Sequence, residues 1–537
     1  MLPDSPHSHN DLRARFAWQI PARFNIGIAC ADAHAAHSPR KPAIIDVNAS
    51  EPQVLTFGDL ASRSSALAAA LDAHGLRRGD RIAIMLPQCF DAVIAHLAVY
   101  KLGAIAVPLA TQFGPDAIAH RLSVSGARAL IGYPTALARA QPFVGACETP
   151  PLSIVSGGAA PGAVRLDALI EKGRDEFAAA PTAPDDPAMM LFTSGTTGQP
   201  KGALHGHRVL LGHLPGIALS QDLMPRPGDR LWTPSDWAWA GGLLNALLPA
   251  LHHGVPVIAA RAPRFSPEWA VDVMARSGAT NAFMPATALR LMQSMNARTL
   301  RDRLTLRVIG TAGEALGRQT LAAATEAFGV PVNEFYGQTE CNAVLANCAA
   351  LGIGRAGSMG LPVPGHEVAI LRQDSSPADA DEPGEIAVRA PDPVMFLNYW
   401  NEEAATRARF SGDWLMTGDQ ARRDADGYVH FIGRGDDLIT SAGYRIGPGE
   451  IEDCLMAHED IELAAVIGEP DPVRTQIVSA YVKLRAGAPP EAQTRKSIAD
   501  FVKRRLSAHE YPRRITFVDH VPLTESGKVI RRHFRRD

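Results

Sequence analysis

The sequence predicts an α/β protein: a large N-terminal domain of mainly parallel, helix-covered sheets, followed by a small α+β domain. Three observations carry the expectation. Strand-like and helix-like stretches alternate from Ala43 onward, and strand, helix, strand in that rhythm argues for βαβ units. The 537 residues exceed what one hydrophobic core usually holds. Near 433–437, Gly, Arg and Asp break the chain after the strand-like run Tyr428–Ile432. That break sets the domains at 1–434 and 435–537.

The individual elements follow in order. Thr56 is placed to cap a helix whose Leu60, Ala61, Leu67, Ala68 and Leu71 recur at helical spacing. Gly75 closes that helix, Gly79-Asp80 turns, and Ile82–Leu86 is a short apolar strand. A second helix, Phe90–Leu102, leads through Gly103 to a strand at Ala104–Leu109. Further strands are expected at Val255–Ala259, Arg307–Gly310 and Val330–Val332. The Ala/Pro-rich Ala178–Pro187 has no apolar periodicity and reads as a connector. In the C-terminal part Ile451–Met456, Ala464–Ile467, Ile477–Val482 and Ile498–Leu506 supply the apolar runs.

Composition excludes several classes. Hydrophobic residues at 46% and charged residues at 20% are ordinary for a globular protein and argue against disorder. The 53 Lys plus Arg nearly balance 56 Asp plus Glu, so neither nucleic acid nor a membrane surface is an expected partner. Arg531, Arg532, Arg535 and Arg536 form a basic end, expected to be a solvated terminus. Cys30, Cys89, Cys147, Cys341, Cys348 and Cys454 are scattered, with no CxxC pair and no metal-spaced His cluster. The first ten residues are polar and include Asp4. The longest apolar run, Ala92–Ala110, is interrupted by His96, Lys101 and Pro108. A cytoplasmic location is the expectation, and the Arg-heavy basic set fits a GC-rich bacterial genome.

The densest signal is Leu191-Phe192-Thr193-Ser194-Gly195-Thr196-Thr197-Gly198-Gln199-Pro200-Lys201-Gly202. A loop this rich in Gly, Ser and Thr can turn backbone N–H groups and hydroxyls toward one anion, with Lys201 adding charge. It is not the Walker pattern, because no Gly-Lys-Ser/Thr triplet closes it. The stretch resembles the phosphate-binding signature of the adenylate-forming superfamily, which includes acyl-CoA synthetases, luciferases and the adenylation domains of peptide synthetases. The remaining superfamily motifs follow in order over nearly the whole chain.

The resemblance implies a role for each. Gly310-Thr311-Ala312-Gly313-Glu314 is similar to the adenine-side loop. In Glu334-Phe335-Tyr336-Gly337-Gln338-Thr339-Glu340, Tyr336 would stack on adenine and Glu340 would hold Mg²⁺ on the phosphates. Asp419 in Trp414–Asp419 would bind the ribose hydroxyls, with Arg434 beside it, and Asp436 would be the hinge of a mobile C-terminal domain. Gly443 would border the pantetheine tunnel, and Tyr444 and Arg445 would follow it, Arg445 approaching phosphate. Lys528 in Pro522–Lys528 matches the family's catalytic lysine, acting with Glu340, Thr193 and Lys201. The activity implied is ligation of a carboxylic acid to coenzyme A at the expense of ATP, through an acyl-adenylate.

The segment Ser235–Gly242 resembles the acyl-pocket segment of acetyl-CoA synthetases, and Ser441–Pro448 looks most like the medium-chain acyl-CoA synthetase branch. Against the acetate pattern Ala240, Gly241, Ala312 and Gly337 all remove volume. The implied pocket is deeper than acetate requires, for a medium-chain, branched or aromatic acid, unless Trp237 and Trp239 refill it. Rival readings are an adenylating enzyme, such as a peptide-synthetase module, that hands its acyl group to a carrier protein, a non-catalytic nucleotide-binding protein, and a luciferase-like oxygenase, which shares every motif. The first expects an acidic residue in the pocket, where beyond Asp236 only Trp, Ala and Gly stand. The second expects loss of Lys528, Glu340 or Lys201, all of which are present. Pro522-x4-Gly527-Lys528 also resembles the pattern that bacterial protein acetyltransferases recognise, which makes such an enzyme an expected partner acting on Lys528.

Overall fold

The alternating rhythm becomes two large sheets with helices between and around them. The computed structural model describes residues 6–146, 150–174, 176–193, 200–261, 264–435, 437–441, 444–471, 475–488, 491–505, 511–523 and 529–535. Among these, one sheet has eight strands. From one edge they run Asn398–Tyr399, Lys201–Gly206, Pro187–Thr193, Ile105–Pro108, Arg81–Met85, Ala129–Gly132, Leu152–Val155 and Val164–Arg165. Its first two pairings are antiparallel and the rest are parallel.

The other large sheet has nine strands among the described residues. Its parallel centre runs Val332–Tyr336, Val308–Thr311, Asn281–Phe283, Leu231–Trp232, Val257–Ala259 and Pro42–Asp46. Antiparallel strands finish both edges. The main core lies between the two sheets and includes Ile44, Leu60, Ile84, Val93, Leu97, Leu210, Leu247 and Val257.

Local chemistry sets the element ends as the sequence predicts. Thr56 and Asp59 form a reciprocal capping box on the helix Phe57–Ala73. Gly103, at φ 72, ends the helix Phe90–Leu102 in the left-handed region that glycine reaches without strain. Every residue from Ala92 to Leu102 is buried, as a helix apolar on all sides requires. No helix among the described residues is long and apolar enough to cross a membrane.

A third, antiparallel sheet was not legible in the sequence beyond its last strand. It pairs Val368–Leu371, Gly384–Arg389, Trp414–Arg423 and Phe410–Ser411, with Val429–Arg434 beside Trp414–Arg423. The C-terminal part is a smaller α+β unit. Its sheet of Tyr444–Ile446, Ile439–Ser441, Thr475–Leu484, Ile461–Asp471 and Arg514–Phe517 packs on the helices Pro448–Met456 and Glu491–Arg505. Two arginines of the basic end are paired and not simply solvated, while Arg532 is exposed and Arg536 lies outside the described residues. Arg531 donates to Glu452 at 2.8 Å and to Asp437 at 2.9 Å, and Arg535 donates to Asp437 at 2.6 Å.

Inside the main core, Lys101 is fully buried, with its ammonium 2.7 Å from Asp32, 2.9 Å from Ser65 Oγ and 3.0 Å from the Ala61 carbonyl. Asp32 keeps 40% of its side chain in water. The two partners therefore differ in what their loss leaves behind. Asp32→Ala strands a buried cation and should cost about 3 kcal/mol, whereas Lys101→Met leaves a carboxylate that water can reach and should cost well under half of that. Burial already lowers the Lys101 pKa against the opposing pull of Asp32. The Asp32→Ala deficit should thus shrink as pH rises, because the folded state sheds the proton before the unfolded chain does. Urea unfolding of both variants at two pH values checks the order, and equal losses would refute it.

Candidate active site

The candidate residues gather where strands of the two large sheets end. Pro187–Thr193 and Lys201–Gly206 pair antiparallel with Thr193 opposite Lys201, so the Gly/Ser/Thr loop leaves the C-terminal end of a buried strand. Ser194, Gly195, Thr196, Thr197 and Gly198 lie outside the described residues. In the neighbouring sheet Val308–Thr311 delivers Ala312, Gly313 and Glu314, and Val332–Tyr336 delivers Gly337, Gln338, Thr339 and Glu340. Carboxyl ends of strands in open α/β sheets are where such folds take ligands.

A polar network centres on Asp419, which is 4% exposed on the strand Trp414–Arg423. Its Oδ2 accepts from the Tyr336 hydroxyl at 2.6 Å and from the Gln338 amide at 2.5 Å. Its Oδ1 is buried and accepts no hydrogen bond among the described residues. Arg434, opposite Asp419 in the antiparallel ladder, brings its guanidinium to 3.3 Å from that oxygen. Gln338 also donates to the Thr417 carbonyl at 2.8 Å and accepts from Arg409 at 3.0 Å. Burial, and secondarily the Asp419 charge, holds the Tyr336 hydroxyl protonated far above its ordinary range.

Glu340 has a second tyrosine. The Tyr399 hydroxyl donates to Glu340 Oε1, and both residues are 7% exposed. The Phe396 N–H also holds the Glu340 carbonyl at 2.9 Å. Tyr399 lies on the two-residue strand Asn398–Tyr399, opposite Ala203 of the strand that begins at Lys201. The Lys201 ammonium is 5.6 Å from the centre of the Tyr399 ring. Sequence reasoning missed both Tyr399 and Arg409, because neither stands in a periodic run or beside a residue of matching chemistry.

The loop after Val308–Thr311 is braced from below and from across the chain. Glu334, 7% exposed, accepts from the Leu316 N–H at 3.1 Å, and burial pushes its pKa up to about 7. Glu314 accepts from Thr287 at 2.7 Å and meets Arg290 at 3.3 Å. Arg290 also reaches Asp453, on the helix Pro448–Met456 of the C-terminal part, at 3.6 Å. Phe335 points the other way, into the core against Phe283 at 5.6 Å.

The acyl-pocket residues divide. Trp237 is 2% exposed and belongs to the main core. Trp239 is half-buried and packs edge-on against Phe113 at 5.8 Å. Ala240–Gly242 is one helical turn that runs into a π-helical turn at Leu243–Leu247, a distortion frequent at functional sites. A side chain at Gly241 would start 3.2 Å from the Phe283 ring. Gly337 departs from the expectation of added depth. A Cβ there would lie 2.3 Å from the Ala343 nitrogen and 2.4 Å from Asn342 Cα, so the chain itself occupies the space the missing side chain was expected to vacate.

Asp436, Gly443 and Lys528 lie outside the described residues, and Tyr444 and Arg445 are described only as backbone in the strand Tyr444–Ile446. Two family models match the chain: AMP-binding enzyme over residues 31–400 and AMP-binding enzyme C-terminal domain over residues 450–528. Acetyl-coenzyme A synthetase of Bacillus subtilis is 30% identical over 95% of this chain and 90% of its own length, and the human mitochondrial acyl-coenzyme A synthetase ACSM5 is 30% identical over 96% of this chain and 91% of its own. The crystal structure of the anthranilate CoA ligase AuaEII with anthranoyl-AMP superposes with a TM-score of 0.88 at 26% identity, covering 96% of this chain and 97% of that one. With these matches spanning both the large and the small unit, the chain belongs to the AMP-binding enzyme family, among its acyl-CoA synthetases.

Proposed function

We propose that this chain is an ATP-dependent acid–CoA ligase working in two steps: carboxylic acid and ATP give acyl-AMP and pyrophosphate, then coenzyme A gives acyl-CoA and AMP. One observation carries the reading: Asp419 Oδ1 is buried with no hydrogen bond among the described residues. The Arg434 guanidinium 3.3 Å away balances the charge of that oxygen without a hydrogen bond to it, and a ribose hydroxyl beside Tyr336 would supply the missing donor. Thr193 and Lys201 frame the loop that would hold the phosphates. Tyr336 and Gln338 keep Asp419 in place for the sugar, while Gly313 and Glu314 border the base.

Glu340 fits a magnesium ion. Among the described residues no three His, Cys, Asp or Glu side chains gather as a metal cage, and Mg²⁺ is commonly held by one or two carboxylates together with substrate phosphates. When bound, it neutralises phosphate charge. The attack itself needs two anions brought together, so catalysis is mostly positioning and electrostatic stabilisation. Lys528 would bridge the acid carboxylate and the α-phosphate. The thiol then needs room at the same carbonyl, which rotation of 435–537 about Asp436 against 1–434 would provide, bringing Gly443 to the tunnel and Tyr444 and Arg445 with it. Acetylation of Lys528 by a partner enzyme would erase the charge this step uses. Cys30, Cys89, Cys341 and Cys348 are free thiols, in keeping with a cytoplasmic setting.

The acid is read as larger than acetate: medium-chain, branched or aromatic. The small side chains at Ala240, Gly241 and Ala312 support the reading, with Phe283 beside Gly241, and Gly337 does not. Each CH₂ buried in an apolar pocket contributes about 0.8 kcal/mol.

Pyrophosphate release with MgATP, measured from acetate through decanoate plus isobutyrate and benzoate, with and without CoA, tests the activity and the pocket together. CoA-dependent turnover should peak at four carbons or longer; a peak at acetate would sink the pocket reading, and release without acid would sink the ligase. Lys528→Ala should slow adenylation by about 10²–10³-fold while leaving thioester formation from supplied acyl-AMP near the parent rate. Asp436→Pro should do the opposite. Equal loss in both half-reactions for either variant would contradict its assigned role.

A further inference from the structure

We infer that Tyr399 is a positioning residue that sets two charged groups for the triphosphate at once, the Glu340 carboxylate through its hydroxyl and the Lys201 ammonium through its ring. The inference rests on the proposed reading of Glu340 as the magnesium ligand and of Lys201 as part of the phosphate loop.

The geometry joins three pieces of chain that are distant in sequence. The backbone around Tyr399 is fastened to the strand leaving the loop, since the Leu397 N–H donates to the Leu204 carbonyl at 2.6 Å and the Trp400 N–H to the Gly202 carbonyl at 2.8 Å. Gly202 leaves room for the Met190 side chain beside this strand, because a Cβ there would lie 2.7 Å from the Met190 sulfur. Tyr399 is thereby locked beside the origin of Lys201. Its ring packs on Phe396 at 4.9 Å, within the same cluster as Cys341 and Met395.

From that fixed ring the hydroxyl reaches Glu340 Oε1. Glu340 makes no other side-chain hydrogen bond among the described residues. One oxygen is held and the other is left for a cation. A buried carboxylate with free rotation would present either oxygen, or neither, to an incoming metal. The ring face, 5.6 Å from the Lys201 ammonium, limits where that side chain can go by cation–π attraction.

The two functions separate by substitution. Tyr399→Phe removes the hydroxyl and keeps the ring, while Tyr399→Leu removes both. ATP binding to the full chain is measured by calorimetry from metal-free buffer to saturating Mg²⁺, with thermal unfolding run alongside. Tyr399→Phe should bind metal-free ATP within about twofold of the parent, yet need about tenfold more Mg²⁺ for half of the metal-dependent gain. Tyr399→Leu should add about a threefold loss of metal-free affinity.

Glu340→Gln, alone and combined with Tyr399→Phe, distinguishes the ways of failing. If Glu340→Gln leaves the Mg²⁺ response intact, the reading of Glu340 falls. If Glu340→Gln abolishes the response and Tyr399→Phe does not move it, the positioning role alone falls. A merely structural role would weaken metal-free and metal-bound ATP alike, or add a further loss in the double variant. Positioning through Glu340 predicts that the double variant equals Glu340→Gln.

Discussion

A carboxylate taken almost wholly out of water has to be met by donors, and the donors it recruits decide what else must be nearby. Asp419 imposes that condition on three parts of the chain. Tyr336 comes from the end of a parallel strand in the nine-stranded sheet. Gln338 comes from the turn that follows. Arg434 comes from the last strand of the antiparallel sheet, immediately before the C-terminal unit. The two sheets and the exit to the C-terminal part therefore meet at one side chain, whose remaining oxygen lies beside Arg434.

How much of this the sequence disclosed follows from how local each feature is. Thr56, Gly103 and the apolar helix they bracket are determined by a few neighbouring residues, and the structure has them at the expected positions. The motif residues could be read because they come as contiguous strings. What escaped depends on pairing between distant segments. Tyr399 is recruited only because Asn398–Tyr399 joins the edge of the strand that follows the loop. Arg290 links the two units because Asp453 arrives from a helix more than a hundred and fifty residues later. Gly337 looked like lost volume, whereas its lack of a side chain is demanded by the backbone of Asn342 and Ala343.

The C-terminal arginines make the same point about ends of chains. A run of cations with no apolar neighbours reads as solvated, yet Arg531 and Arg535 converge on Asp437, next to the expected hinge. Glu452 anchors Arg531 from the first helix of the small unit. The last residues described are thus tied to the start of the small unit.

Gly337 also constrains the family history available to this chain. A bulky residue at this point would not be accepted by a single substitution, because Asn342 and Ala343 would first have to retreat, and Ala343 already holds a left-handed backbone at φ 56. Drift toward smaller or larger acids is left to side chains such as Ala240, Ala312 and Phe283, which can be exchanged one at a time. The range of side chains open to descendants of this sequence is accordingly narrower at the glycine than its small size suggests.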